Sequence, residues 1–408
     1  MSTRSEAFQR WASLVSGPDW FWYAKVLSGN DTLLNGAHQA GPYVPRDVIF
    51  ELFPSISRSA ALNPRSSIQV LIDSHGAEAA ATAIWYNNRV AGGGTRNEAR
   101  VTNWGGRASP LLDPEATGSI CILAFHRAAT GGDADVCRVW LCSSVEEEEA
   151  VTDLIGPVDP GVSQFFRGTA QGVVPARGTV PDLPCRISVE EMPQKWRFAF
   201  PEAHELVRRA TENLPSVRER SPDERLLRRR VCEYEIFRSV EDAVVLPRIR
   251  EGFATVDLFV SFANSVTNRR KSRSGASLEL HTKTIFDEEG LAYSHDEYSE
   301  GRKRPDFLFP SAEAYRNPGF PAERLQMLAV KTTCKDRWRQ ILNEADRVPR
   351  KFLLTLQEGV SYHQFDEMTE AGVSLVVPAP VHSSYPKQIR QHLLSLSHFI
   401  GLTRARCR

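Results

Sequence analysis

The chain has no apolar run of transmembrane length. Its first residues, Met-Ser-Thr-Arg-Ser-Glu, contain neither the charged nor the hydrophobic region of a secretory signal. Both absences predict a cytoplasmic protein. Cysteine is scarce as well: the seven cysteines are an odd number and none has CxxC spacing. The sequence therefore predicts free thiols in a reducing compartment, and neither a disulfide frame nor a zinc cluster.

An excess of either charge is also missing, since 50 lysines and arginines balance 50 aspartates and glutamates. No global charge attracts a polyanion, so any surface for DNA must be local. The basic residues are unevenly divided, with 41 arginines against 9 lysines. The rigid guanidinium fork suits two-point contacts to phosphates and guanine edges, although a GC-rich genome would produce the same bias.

At 408 residues the chain is long enough for two or three domains. The first portion has short apolar runs between turn residues, such as Ser67–Ile72 and Ile120–Phe125, and this pattern is typical of β-strands. From Arg167 onward the chain becomes rich in glycine and proline, which favours a linker. We predict an N-terminal domain over residues 1–166, a hinge over 167–187 and a C-terminal domain over 188–408.

The C-terminal portion opens with a helix signal. Ser221 is placed to cap a helix that begins with Pro222 and has Asp223 and Glu224 in its first turn. Alternating strand and helix patterns follow as far as Phe399. This order predicts an α/β domain.

Three positions in that domain form a pattern typical of metal-dependent nucleases. Asp306 precedes the apolar strand Phe307–Phe309, and Lys331 ends a second apolar run. Glu344 follows on a segment whose apolar residues have helical spacing. Carboxylates suit Mg²⁺, and a lysine can stabilise charge that develops at a phosphate. Spacing alone leaves open an alternative in which the three are a turn residue, a solvated base and the partner of an arginine.

Several segments resemble the EcoRII type of restriction endonuclease, and together they span most of the chain. They are Ser28–Thr32, Thr95–Glu98, Asp113–Gly118, Ala263–Arg273, Leu278–His281 and the stretch from Lys303 to Glu344. The resemblance implies a B3-like pseudobarrel, which is β-rich, followed by an α/β nuclease domain of the PD-(D/E)xK type. It also implies a Mg²⁺-dependent type IIE homodimer with a companion DNA methyltransferase. Such an enzyme cuts double-stranded DNA at CCWGG, where W is A or T, and is activated by a second copy of that sequence.

The resemblance assigns roles in the catalytic site. Asp306 and Glu344 become metal-binding carboxylates, Lys331 becomes the catalytic lysine, and Glu279 and Tyr315 join the site. From the residues alone, Glu279 has the alternative of an i, i+4 pair with a lysine on its own helix, and the tyrosine could belong to the core.

One departure from the wider nuclease pattern is visible. Ala329 stands two residues before Lys331, where an acid is usual. We expect Glu344, on a helix that runs back along the strand, to bring its carboxylate into the vacated place.

DNA contacts are predicted beside the catalytic lysine. The resemblance assigns the outer G:C pairs to one short segment: Lys335, Asp336, Arg337 and Trp338. Arginine fits a guanine edge and aspartate a cytosine amine. Arg269 and Arg270 could hold phosphates. The alternatives are an ordinary charged helix start and a solvated turn.

A second set of polar residues lies in the N-terminal portion on two glycine-rich loops: His38, Arg96, Asn97, Glu98 and Arg100. Their side chains suit the edges of bases in a major groove, and the resemblance makes them the effector DNA site. An ordinary polar turn is the alternative. Gly94 and Ala99 stand where relatives have lysines, which puts effector affinity in doubt.

The leading hypothesis is sequence-specific hydrolysis of DNA that leaves 5′-phosphate ends. A non-cleaving DNA-binding regulator with the same fold is the alternative, and a repair nuclease is a third possibility. The regulator would have no need of Asp306, Lys331 and Glu344 together, and a repair nuclease would lack the matching N-terminal reader.

Overall fold

The computed structural model describes residues 4–36, 41–88, 92–94, 97–127, 131–169, 172–178, 185–215, 220–335 and 337–407. The chain divides into two compact units. One contains Met1–Val180 together with the short segments Gln357–Tyr362 and Ser384–Gln388. The other contains Pro181–Leu356, His363–Ser383 and Ile389–Arg408.

The first part of the chain is built on a sheet. Its strands are β1 Trp20–Val26, β2 Arg65–Ile72, β3 Ala77–Tyr86, β4 Glu98–Thr102, β5 Ile120–His126, β6 Val136–Leu141, β7 Gln164–Thr169 and β8 Gly172–Gly178. Within the described residues they form one eight-stranded sheet in the order β4-β3-β2-β6-β5-β1-β7-β8. Only the β2–β6 pair in that order is parallel. The predicted strands Ser67–Ile72 and Ile120–Phe125 are confirmed.

Both faces of this sheet are covered. Side chains alternate between the two faces of a strand, so Phe21 and Tyr23 of β1 enter one core while Trp22 and Ala24 enter another. The helices of this part are α1 Arg4–Leu14, α2 Arg46–Leu52, α3 Pro54–Arg58 and α4 Val145–Ile155. Short 3-10 helices lie at Leu33–Asn35, Gly106–Ala108, Pro110–Leu112 and Pro114–Ala116.

Part of the tract predicted as a hinge is strand. Residues Gly172–Gly178 form β8, which pairs antiparallel with β7. β8 is the last strand of the sheet order, and an edge strand tolerates proline because one side of it makes no ladder hydrogen bonds. Pro175 lies at a shift in the β7–β8 register. Glycine and proline content alone therefore does not distinguish a linker from an edge strand, and residues 170–171 and 179–184 of that tract lie outside the described part of the chain.

The second part of the chain has a smaller, mixed sheet. Its strands are β9 Ser294–His295, β10 Phe307–Phe309, β11 Gln326–Val330, β12 Lys351–Leu354 and β13 Val373–Val376. In the order β13-β12-β11-β10-β9, the pairs on either side of β10 are antiparallel, while β11, β12 and β13 are parallel. The α/β prediction is confirmed.

The second part of the chain also contains helices. They are α5 Ala203–Asn213, α6 Pro222–Glu251, α7 Val256–Glu288, α8 Ala312–Arg316, α9 Tyr362–Glu370, α10 Lys387–Arg390 and α11 Leu396–Cys407. Short 3-10 helices lie at Gln194–Arg197, Ala322–Arg324, Arg337–Asn343 and Ala379–Ser384. The predicted start of α6 is confirmed, since Ser221 caps it by accepting a hydrogen bond from the backbone N–H of Glu224. The helix expected to carry Glu344 is instead the 3-10 helix Arg337–Asn343, which ends one residue earlier.

Buried ionic contacts fix α7 against α6. The Glu233 carboxylate, 1% exposed, accepts hydrogen bonds from Arg273 at 2.9 Å and from the Ser277 hydroxyl at 2.7 Å. At the far end of α7, Glu288 receives two bonds from the buried guanidinium of Arg229. A buried charge needs such partners to offset its desolvation. Together they fix the face that α7 turns to the sheet.

The prediction that all cysteines are free is wrong for two of them. Cys185 and Cys232 form a disulfide across a sequence separation of 47 residues, whereas the other five cysteines are free. The pair meets because both residues belong to one apolar core with α5 and α6, a proximity that spacing in the sequence does not reveal. No helix in the described ranges combines the length and apolar character needed to cross a membrane.

Candidate active site

The pairing of β10 with β11 brings Asp306 to Lys331. The strands are antiparallel with Phe307 opposite Leu328, so the residue before β10 lies beside the end of β11. Oδ2 of Asp306 accepts hydrogen bonds from the backbone N–H of Val330 at 2.6 Å and from Lys331 Nζ at 3.4 Å. The last residue of β11, directly before Lys331, therefore also holds the carboxylate.

Glu344 reaches the same place from a different element. Ala329 is fully buried within β11 and offers no oxygen where an acid is usual. Glu344 is half-buried, directly after the 3-10 helix. Burial, and then the charge of Asp306, raise the pKa of Glu344 to about 7, while Lys331 and Lys351 act in the opposite direction. The two carboxyl groups and the lysine thus influence one another, as members of one site do.

Glu279 approaches from α7. Burial raises the pKa of Asp306, the charge of Lys331 lowers it, and the charge of Glu279 raises it again. The Glu279 carboxylate lies 2.6 Å from Nε2 of His295 on β9. The imidazole in turn packs near the ring of Phe307, with 5.1 Å between centroids. The i, i+4 alternative for Glu279 is not formed, because Lys283 pairs with Asp287.

The donor set fits a hard divalent cation. Two neighbouring carboxyl groups with raised pKa values are costly to ionise together, and a bound cation removes that cost. In the described part of the chain, no group of three or more His, Cys, Asp or Glu side chains is arranged to hold a metal. A two-carboxylate set leaves positions for water and a substrate phosphate, which is the coordination that Mg²⁺ accepts.

Tyr315 is held in a separate set of contacts. Its side chain is buried, and its hydroxyl oxygen accepts a hydrogen bond from the backbone N–H of Arg347 at 3.1 Å. Burial raises its pKa, as does a hydrogen bond with Glu300. These contacts fit the core alternative, and its catalytic role stays a prediction.

The residues predicted to contact DNA near Lys331 differ in exposure. Arg337 opens the 3-10 helix and is half-buried, as is Lys335. Trp338 is buried, and the guanidinium of Arg339 lies 4.6 Å from the centre of the Trp338 ring. Trp338 therefore packs under the segment and is not exposed for contact with DNA. Asp336 lies outside the described residues.

The two arginines of α7 are both engaged with neighbours. Arg270 makes a two-point ion pair with Glu241, at 2.7 and 2.9 Å. Arg269 is exposed and lies over the ring of Phe200 at 4.6 Å. Phosphate contacts at these positions stay a prediction, and the geometry leaves Arg269 the more accessible of the two.

In the N-terminal set, Asn97 directly precedes β4 and accepts a hydrogen bond at its Oδ1 from Trp85 Nε1 at 2.7 Å. Glu98 begins β4 and forms an ion pair with Arg100, whose guanidinium lies 5.7 Å from the centre of the Tyr43 ring. Three of the five predicted side chains therefore lie at one end of one strand. His38 and Arg96 are outside the described ranges.

Two residues of the site carry no signal in the sequence. His295 stands in a two-residue strand, and Lys351 begins the four-residue strand β12. Neither belongs to a motif, and only the folded geometry reveals their contacts with the segments that carry Glu279 and Glu344.

The chain is a two-domain type II restriction endonuclease, and comparison with known proteins specifies the family. The model of the EcoRII C-terminal domain matches residues 237–400, and that of the N-terminal domain of the EcoRII restriction endonuclease matches residues 16–169. The type II restriction enzyme EcoRII of Escherichia coli is 44% identical over 396 residues, covering 97% of this chain and 96% of that protein. The chain belongs to the EcoRII family. The predicted fold class, a B3-like pseudobarrel followed by an α/β nuclease domain, is thereby confirmed, and membership implies a divalent-metal requirement.

Solved structures of restriction endonucleases are also similar to this chain, though only distantly. PspGI in complex with substrate DNA is 18% identical, with a TM-score of 0.43, covering 54% of this chain and 97% of that one. Metal-depleted Ecl18kI in complex with uncleaved, modified DNA is 15% identical, with a TM-score of 0.43, covering 51% and 80%. The UbaLAI B3 domain with cognate DNA is 19% identical, with a TM-score of 0.27, covering 42% and 99%. The family assignment does not depend on them.

Proposed function

We propose that this restriction endonuclease hydrolyses DNA at CCWGG with Mg²⁺ and leaves 5′-phosphate ends. The observation that carries the proposal is the convergence of Asp306, Lys331 and Glu344 at the end of β11. The first two are joined by a 3.4 Å contact, and Glu344 is coupled to both through its raised pKa. A regulator that does not cleave DNA would gain nothing from this costly arrangement.

In the proposed mechanism, Asp306 and Glu344 in their ionised forms would hold the divalent cation. When bound, Mg²⁺ would supply charge neutralisation at the phosphate and would lower the pKa of water. Lys331, held beside Asp306, orients the attacking water and stabilises the negative charge that builds on the phosphoryl oxygens. Water forms the new bond to phosphorus as the bond to the 3′ oxygen breaks. The phosphate consequently stays on the 5′ end of the downstream fragment.

Recognition is divided between the two parts of the chain in this proposal. Arg337, with Lys335 and Asp336, reads the outer G:C pairs of the target. The N-terminal set, His38 together with the residues around β4, binds a second copy of the site as an effector. A homodimer supplies one site for each strand of the duplex, and a companion methyltransferase protects the host sequence.

The direct test is incubation of the full-length protein with a plasmid that contains several CCWGG sites, so that effector copies are present, with and without Mg²⁺. We expect double-strand cuts only in the presence of the metal, and sequencing of the ends should place them at CCWGG with 5′-phosphates. Specific binding without any cutting would favour the non-cleaving regulator. Cutting at unrelated sequences would favour a repair nuclease.

A further inference from the structure

Lys351 is a lysine in an unusual setting, the interior of the second unit. It begins β12 and is 6% exposed. Its Nζ donates hydrogen bonds to three backbone carbonyl oxygens, those of Glu344 at 2.6 Å, Ala345 at 3.2 Å and Val348 at 3.1 Å. An ammonium group has three N–H donors, so these carbonyls account for all of them.

All three carbonyls belong to the turn that follows the 3-10 helix and carries Glu344. Ala345, the next residue, has a φ of 49°, in the left-handed region, which disfavours residues with a Cβ. Within the turn, the backbone N–H of Val348 donates to the Ala345 carbonyl at 2.9 Å. The segment is irregular and unfavourable at one position, so contacts from outside it must help to hold it.

Lys351 connects this turn to the sheet that holds the rest of the site. Its own N–H donates to the Gly372 carbonyl at 3.0 Å, and it pairs with Val373 of β13. The next residue, Phe352, pairs with Leu328 of β11, the strand that ends directly before Lys331. The ammonium group thus fixes Glu344 relative to the frame of β11.

We propose that Lys351 is a positioning residue, which places the Glu344 carboxylate beside Asp306 by binding the carbonyls of the turn. The proposal rests on the proposed role of Glu344 as a metal-binding carboxylate. Because Ala329 occupies the usual position of that acid on the strand, the chain needs another means to hold a carboxylate that arrives from an irregular turn. Three charge-assisted hydrogen bonds from a buried ammonium provide it.

The test compares Lys351→Met with Arg350→Met in the full-length protein. Both variants lose one positive charge at neighbouring positions, but Arg350 is exposed and donates to the Ser374 hydroxyl at 2.7 Å. Mn²⁺ binding, followed by electron paramagnetic resonance without DNA, is the readout that does not depend on cutting. For Lys351→Met we expect Mn²⁺ affinity to fall about tenfold or more, and the Mg²⁺ concentration for half-maximal cleavage to rise in parallel. Arg350→Met and the affinity for site DNA should be unchanged.

The outcomes separate the inference from the proposed function. A Lys351→Met protein with wild-type Mn²⁺ affinity and Mg²⁺ dependence, even at a lower melting temperature, overturns the positioning role. Wild-type protein that fails to cut CCWGG overturns the proposed function instead. If the methionine variant does not fold, Lys351→Arg and Lys351→Gln replace it. Arginine should retain most of the Mn²⁺ affinity and glutamine should lose it, and equal affinities in the two would refute the inference.

Discussion

The two units hold their candidate functional residues in different ways. Around Lys331, register and burial fix each side chain: the last residue of β11 donates a hydrogen bond to Asp306, and Glu344 lies on a turn whose backbone carbonyls bind Lys351. In the N-terminal set, Asn97 and Glu98 lie where a loop enters the edge strand β4, bonded to near neighbours. The residues around Lys331 are each held by several contacts, whereas those of the N-terminal set lie at the surface with contacts only to near neighbours.

This difference follows from what each site must do. Hydrolysis requires a few groups to be held within fractions of an ångström around one phosphate. Recognition of a base sequence distributes the free energy of discrimination over several side-chain contacts, each of which contributes about 1–3 kcal/mol. Substitutions in the catalytic site should therefore have all-or-none effects, whereas those in the reading surfaces should be graded.

Lys331→Ala should show the all-or-none behaviour expected of the catalytic site. Removing one preorganised electrostatic group should slow cleavage by about a hundredfold or more, with Asp306→Ala and Glu344→Ala at least as severe. Single-turnover cleavage measures the rate, and a mobility shift with cognate duplex should show binding largely retained. Lys283→Ala is the matched control, because this lysine pairs with Asp287 on the surface of α7. Cleavage near the wild-type rate in Lys331→Ala would remove the core of the mechanism.

Arg337→Ala tests whether a residue proposed to read DNA within the catalytic unit has a graded effect on binding. Loss of a two-point contact to guanine should weaken cognate binding by about 1–3 kcal/mol, roughly 5- to 150-fold, with a much smaller loss on random DNA. Competition binding at fixed salt gives both values. Arg339→Ala, whose guanidinium pairs with Glu367, controls for charge. An equal loss on every sequence would reassign Arg337 to the phosphate backbone.

The pH dependence of the cleavage rate should report the ionisation of Glu344, which is half-buried beside Asp306. Burial and Asp306 raise the pKa of Glu344 to about 7, and the ionised form is the one that holds a metal. At limiting Mg²⁺ the rate should therefore fall by up to about tenfold per pH unit below 7, and saturating Mg²⁺ should shift the midpoint downward. A profile flat from pH 8 to 6 at limiting metal would contradict the assignment.

Metal removal gives the same titration a second readout, stability. An acid whose pKa is raised on folding favours the folded state while it is protonated, so the stabilisation is lost as pH rises from about 4.5 through about 7. In EDTA, Glu344→Gln should then melt above the wild type at pH 8, and the difference should shrink at pH 5. Without that convergence, Glu344 would not be the titrating group.

How much of this could be read from the sequence depends on whether the signal was local. Apolar runs and a Ser-Pro start located β2, β5, β10 and α6, because strand alternation and capping are written in neighbouring residues. The convergence of Asp306 with Lys331 was predictable because each residue stands at the end of an apolar run that forms a strand. The disulfide between Cys185 and Cys232 did not, because it depends on a core assembled across 47 residues.

The misplaced elements have physical reasons too. The helical spacing around Trp338 predicted an α-helix, yet the segment is a short 3-10 helix that ends before Glu344, because i, i+3 spacing suits both forms over so few residues. Pro175 suggested a linker where an edge strand accommodates it. The contacts of Lys351 with the turn's carbonyls could not be predicted, since main-chain partners leave no trace in residue identity.

A single substitution in the effector surface should have only a mild effect on cleavage. Asn97→Ala should reduce the stimulation of one-site cleavage by added CCWGG duplex only a few-fold, because it removes one contact of several; its amide keeps two N–H donors while Oδ1 is engaged with Trp85. Thr102→Ala, later in the same strand, controls for loss of a polar group.

The measurement is the cleavage rate of a one-site plasmid as CCWGG duplex is added, and it distinguishes an effector site from an additional DNA anchor. If the two sites are coupled, weaker effector binding must raise the duplex concentration needed for activation and leave the rate without added duplex unchanged. If added duplex merely competes with the plasmid in wild type, the N-terminal unit is an additional DNA anchor. If Asn97→Ala instead abolishes all cutting, the graded surface is as over-determined as the catalytic site, and the division drawn between the two units fails.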